Sequence, residues 1–161
     1  MKIIVDTREK KPWLFNHPDV TGVEIRKLRT GDYTVEELEN VLCIERKKVV
    51  AEFATCVTVS RFKDELERMR NYKYRYLVFE FDEDAVLRYP VGSHIPAGRW
   101  SKLRVTGPYI MKFINEIRED YELEIVFAGD STIAELKTIE IMKETLENER
   151  NKSTTTPHNE A

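Results

Sequence analysis

The segment YRYLVFEF, residues 74–81, is rich in aromatic and β-branched residues and reads as a strand. The residues beyond it restrict the chain to few folds. PYIMKFINEIRED, 108–120, opens with Pro108 in its first turn and keeps Ile110, Phe113, Ile114 and Ile117 on one face, a helix of ordinary length. LEIVFAG, 123–129, is another buried strand, and STIAELKTIEIMKETLENE, 131–149, a last helix. Ser131 or Thr132 is its expected N-cap, with Glu135 placed for a capping box. Strand, helix, strand and helix in that order make an α/β domain.

The first half carries shorter apolar runs. KIIVD delivers Asp6 at the end of a strand, VEIRKL alternates as a half-buried strand does, and YTVE and VLCIE are two more with ELEN as a turn between them. The early antiparallel pairing and the later β-α-β-α order together give a mixed sheet. From Val50 the period lengthens, and Phe53, Val57, Phe62, Leu66 and Met69 fall on one side of a helix or of two consecutive helices. The closing residues have no apolar anchor, so the expected division is a domain over 1–148 and a disordered tail over 149–161.

A chain of 161 residues with 41% hydrophobic and 34% charged residues builds one core. No apolar run is long enough for a membrane span, and the N-terminal run is too short for a signal peptide, so a cytoplasmic protein is expected. Cys43 and Cys56 lack zinc-site spacing and read as buried free thiols. The net charge of -3 excludes an indiscriminate polyanion binder. Positive charge is nonetheless gathered in the first half, as RKLR at 26–29, ERKK at 45–48 and RMRNYKYR at 68–75.

The stretch GDYTVEELENVLCIERKK, 31–48, holds the chemistry. With a turn centred between Leu38 and Glu39, opposed residues have numbers summing to 77, and Asp32 faces Glu45. Like charges so opposed repel across about 5 Å, and a divalent cation relieves this better than solvent, because Mg²⁺ takes hard oxygen ligands from one or two carboxylates plus phosphate and water. The strand period places Lys47 on the same face as Glu45. Such a set suits phosphodiester hydrolysis, with the lysine orienting water or stabilising negative charge. A charged hairpin end in which Lys47 merely pairs with Glu45 has the same residues.

VDTRE at 5–9, GDY at 31–33 and IERK at 44–47 resemble the XPF-type structure-specific endonuclease domain of the restriction-endonuclease-like superfamily. The similarity continues through RFKDELERM, YLVFEF and FAG with its following helix. It implies an α/β fold with a restriction-endonuclease-like mixed β-sheet flanked by helices. It further implies a DNA endonuclease using Mg²⁺ or Mn²⁺ on branched, flap or junction substrates. Residue by residue, Asp32 and Glu45 become the metal ligands, Lys47 the catalytic lysine and Asp6 a contributor to the same metal or its water. Arg8 and Glu9 would shape the site, and Arg46 would be structural or lend its carbonyl. The family has an aspartate after three further residues; here Ala51 stands there and Glu52 comes next, so Glu52 is the candidate replacement. Arg61 and Lys48 are candidate DNA contacts, although Asp64 and Glu65 are placed to pair with Arg61.

The larger relatives append helix-hairpin-helix motifs, and the resemblance is to stand-alone versions without them. DNA affinity would then come from the basic clusters, from a protein partner or from a homodimer. The alternative is a catalytically inactive DNA-binding or protein-interaction module on the same fold. Trp13 and Trp100 read as packing residues, His94 as a loop residue, and His17 and His158 carry no argument.

Overall fold

A computed structural model describes residues 1–154. Six strands form one mixed sheet: β1 (Lys2–Val5), β2 (Gly22–Ile25), β3 (Tyr33–Val35), β4 (Leu42–Lys47), β5 (Tyr74–Phe79) and β6 (Glu124–Phe127), in spatial order β2-β1-β3-β4-β5-β6. β3 runs antiparallel to both its neighbours, and the pairs β1–β2, β4–β5 and β5–β6 are parallel. Five helices cover it: α1 (Val50–Cys56), α2 (Ser60–Met69), α3 (Glu83–Arg88), α4 (Gly107–Asp120) and α5 (Ser131–Thr154). No helix among the described residues is long and apolar enough to cross a membrane.

The strand period divides β4 between two cores. Cys43 lies in the core that Phe53, Phe62, Leu66, Phe79, Ile110 and Ile114 build under α1, α2 and α4. Leu42 and Ile44 lie in the other, with Trp13, Phe15, Tyr33, Val78 and Met142. Trp13, read from sequence as a packing residue, is stacked on Tyr33 at 4.8 Å, and its indole nitrogen donates to Glu80 at 2.9 Å.

Three expectations are corrected. The N-cap of α5 is Asp130, whose Oδ1 accepts from the amide of Ile133 at 2.8 Å. Ser131 instead donates to Glu80, and Glu135 accepts from the amide of Phe15, so tertiary partners claimed both side chains. The expected tail from 149 begins as helix, because Glu149 pairs with Lys73 and accepts from the Tyr74 hydroxyl at 2.9 Å, and Arg150 pairs with Glu37 at 2.8 Å. Residues 155–161, with His158, lie outside the described part. Cys56 is half-buried rather than buried, on a helix end facing a groove.

Gly31 makes the crossing from the loop into the hairpin. Its φ is +81°, and an added Cβ would stand 2.7 Å from Cys43 Sγ and 3.0 Å from the carbonyl oxygen of Ile44. Left-handed backbone costs a residue with a Cβ about 1–2 kcal/mol, and the fixed carbonyl adds crowding. Gly31→Ala is therefore expected to lower the melting temperature by about 5 °C or more. Calorimetry checks this; an unchanged melting temperature would show that the crossing relaxes freely.

Candidate active site

The hairpin pairs as its hydrophobic pattern requires. Tyr33 opposes Ile44, the register in which residue numbers sum to 77. One step further, the amide of Asp32 donates to the Ile44 carbonyl at 2.8 Å, and the amide of Arg46 donates to Asp32 Oδ2 at 2.8 Å. Asp32, one residue before β3, is thereby held between the Ile44 carbonyl and the Arg46 amide, with its charge acting on Glu45. The turn itself is a single 3-10 turn, Glu36–Leu38, rather than a tight loop.

On the same face of β4, Lys47 donates to Glu45 Oε1 at 2.8 Å and lies 5.1 Å from the centre of the Phe62 ring of α2. Glu45 and Lys47 are both buried. Burial pushes the Asp32 carboxyl up to about 6, with Glu9 and Glu65 adding to the rise and the Arg46 amide and Lys47 opposing it. Burial and then the charge of Asp32 push Glu45 well above the ordinary carboxylate range, against the pull of Lys47. Burial alone would lower Lys47, yet the charge and hydrogen bond of Glu45 outweigh it and hold the ammonium protonated. Two carboxyls whose proton affinity is raised by burial and by each other are short of positive charge, and their hard oxygens are donors of the type Mg²⁺ and Mn²⁺ take.

The remaining candidates separate by what they touch. Asp6 is buried just past β1 and accepts from the amide of Leu28 at 2.7 Å and from the amide and Nε of Arg8 at 2.9 and 2.6 Å. Burial would raise it, but these bonds outweigh burial and hold it below the usual range. Its oxygens are taken up by the loop and by Arg8. Arg8, half-exposed, also donates to the Leu28 carbonyl at 3.2 Å, and its guanidinium feels the charges of Glu65 and Asp32. The Glu9 carboxylate is largely enclosed and pairs with Lys48 at 3.1 Å and with Arg46 at 3.7 Å. Lys48 is accordingly held by Glu9.

Arg46 faces the opposite core. Its Nε donates to Glu80 at 2.7 Å, and Nη1 donates to the Lys11 carbonyl at 2.8 Å and the Tyr33 hydroxyl at 3.0 Å. The guanidinium carbon lies 4.3 Å from the Trp13 ring centre. The neighbouring residues Arg46 and Lys47 thus belong to different faces of one strand.

Glu52 is exposed in the first turn of α1. Among the described residues no group of three Asp, Glu, His or Cys side chains gathers closely enough to hold a metal, so neither Asp6 nor Glu52 joins the pair as the chain stands. Arg61 makes no ion pair with Asp64 or Glu65 among the described residues. Instead Arg61, Glu65, Phe62 and Cys56 line a groove of about 260 Å³ that reaches Lys47. Glu65, expected only as a partner for Arg61, belongs to the surroundings of the acid pair. Its charge acts on Asp32, Glu45 and Lys47. Its i+3 spacing from Phe62, which packs on Lys47, is the signal that could have placed it there.

A mixed sheet with helices on both faces and an enclosed acid pair beside a lysine defines an α/β domain of the restriction-endonuclease-like kind. The chain belongs to the ERCC4 domain family, which matches residues 5–136. Two solved structures share the fold. XPF from Aeropyrum pernix is 16% identical with a TM-score of 0.62, over 100% of this chain and 64% of that one. XPF from Aeropyrum pernix in complex with DNA is 17% identical with a TM-score of 0.63, over 91% of this chain and 66% of that one. The chain spans less than two thirds of the length of either. No curated protein sequence matches it.

Proposed function

We propose that this domain is a Mg²⁺ or Mn²⁺ dependent DNA endonuclease that hydrolyses phosphodiester bonds at branched, flap or junction DNA. The observation that carries this reading is the pair Asp32 and Glu45, with Asp32 held to β4 by the Ile44 carbonyl and the Arg46 amide, both acids pushed above the ordinary carboxylate range, and Lys47 bonded to Glu45. Membership of the ERCC4 domain family supports it, as does the likeness to a relative solved with DNA.

Asp32 and Glu45 would hold the cation, which supplies Lewis acidity and a water of lowered pKa when bound. Lys47 stays charged, so it serves as a donor rather than a base: it orients the attacking water or stabilises charge developing on the phosphoryl group. Asp6 acts one step removed, fixing Arg8 so that the outer guanidinium nitrogens can meet a phosphate oxygen near Asp32. Glu9 fixes Lys48 and Arg46. Glu52 lies outside the pair and would enter only through an added water. A homodimer or a protein partner would extend the DNA contact.

The test is a cleavage panel over fork, flap, four-way junction, duplex and single-stranded DNA with Mg²⁺ or Mn²⁺, using wild type, Glu45→Gln and Glu52→Gln. Cleavage of branched DNA should vanish with Glu45→Gln and persist within about tenfold with Glu52→Gln, since an exposed acid outside the pair contributes a secondary interaction. If wild type cuts nothing in either metal, the second reading takes its place, a non-catalytic module, for which the solitary position of Glu52 is the supporting observation.

A further inference from the structure

Thr30 and Arg29, immediately before Gly31 and Asp32, line a cavity of about 450 Å³ together with Asn40, Arg68, Asn71 and Tyr72. It opens at the far end of the α2–β4 contact from the Lys47 groove. Tyr72, just past α2, shares a core with Cys43, whereas Phe62, in the first turn of α2, packs on Lys47. Glu45 lies between Cys43 and Lys47 on the same strand face, so the acid pair stands between two openings along one helix.

The arginines at both openings are uncommitted. Arg8, Arg46, Arg70, Arg75 and Arg150 are each tied to an acid. Arg29, Arg61 and Arg68 have no ion-pair partner among the described residues, and all three are exposed. No acid lines the larger cavity, and its two side-chain amides and one phenol add neutral hydrogen-bonding groups. Guanidinium groups bind phosphate oxygens in a bidentate fork, and amides donate to the same atoms. Arg61 and Arg68 are seven residues apart on α2 and hence separated by about 10 Å along its axis. That is about three nucleotides at the roughly 3.4 Å rise of a DNA strand.

We propose that the cavity bounded by Arg29, Arg68, Asn40 and Asn71 is a second contact site for the phosphodiester backbone of one DNA strand. The strand would run along α2 from Arg61, over the acid pair, to Arg68 and Arg29. The inference rests on the nuclease reading and adds to it a strand direction and a set of contacts remote from the reacting phosphate.

The experiment measures anisotropy of a labelled single strand and a labelled fork in EDTA against salt concentration. It compares wild type, Arg29→Gln/Arg68→Gln and the charge control Lys112→Gln/Arg118→Gln on α4, alongside wild-type cleavage. Loss of two phosphate contacts should weaken single-strand binding about 25-fold at about 0.1 M salt and make the salt slope shallower by about 1.4. The α4 control should bind like wild type, and circular dichroism should show all three proteins folded, the altered residues being exposed. Equal losses in the two double variants would overturn the site in favour of general attraction. A double variant that binds and titrates as wild type does, while wild type cuts DNA, would sink the strand path and leave the nuclease reading intact. Wild type that neither binds nor cuts DNA would remove both.

Discussion

Asp32→Asn is expected to abolish cleavage and to make the metal-free protein more stable at neutral pH, two effects in opposite directions from one atom pair. Asn keeps an acceptor for the Arg46 amide and removes the charge that faces Glu45. The folded Asp32 carboxyl titrates at about 6, against about 3.9 in an unfolded chain, so over that window the native state holds more protons. The contribution of Asp32 to stability is therefore nil below about pH 4, becomes increasingly unfavourable as pH rises to about 6, and stays so above it, on the order of 3 kcal/mol at most. Glu45 is shifted in the same direction and adds to the slope. Differential scanning fluorimetry in EDTA should place Asp32→Asn above wild type by about 5 °C at about pH 8, with the gap closing toward about pH 4. Adding Mn²⁺ should reverse the order, because only wild type retains both ligands. A variant that is less stable than wild type in that alkaline range without metal, or that still cuts DNA, would show that the two acids are not a strained pair relieved by a cation.

The second large effect separates two adjacent cations. Arg46→Met should cost about 3–5 kcal/mol, because it leaves the largely enclosed Glu80 and Glu9 carboxylates short of a partner and takes the cation from the Trp13 ring. The melting temperature should fall by about 10 °C or more. Lys47→Met should cost far less stability, since the raised proton affinity of Glu45 lets it take up a proton in place of the ammonium. Cleavage should instead drop about 10²–10³-fold, the usual cost of losing one preorganised donor to developing charge. Urea unfolding and single-turnover cleavage measured on both variants decide this. If the two profiles are alike, the assignment of one residue to the scaffold and the other to the chemistry fails.

Features that depend on local period could be read along the chain. Strand β4, the hairpin register that pairs Tyr33 with Ile44, the common face of Glu45 and Lys47, and the helices α2 and α4 all come from alternation or from 3.6-residue spacing. The three ordered motifs added the family. Hidden from any such reading were the polar groups that would be bonded once distant segments met. Asp6 looks like a free carboxylate at a strand end, yet Arg8 takes Oδ2 and the returning Leu28 amide, 22 residues on, takes Oδ1. Thr132 and Glu135 have the spacing of a capping box and Ser131 is the other candidate cap, yet Glu80 claims Ser131 and the amide of Phe15 claims Glu135 from elsewhere in the fold. Glu65, read as a surface partner for Arg61, acts on the acid pair because α2 packs its Phe62 face on Lys47.

The sequence by itself determined the sheet-and-helix alternation, the antiparallel pairing that brings Asp32 near Glu45 and the lysine beside them, because each is fixed by backbone geometry over a few residues. Only the tertiary structure decided which acids are committed to other groups and which arginines remain unpaired at the surface. Those properties depend on burial and on the partners that folding brings within hydrogen-bond reach, and neither is encoded in spacing along one strand or one helix.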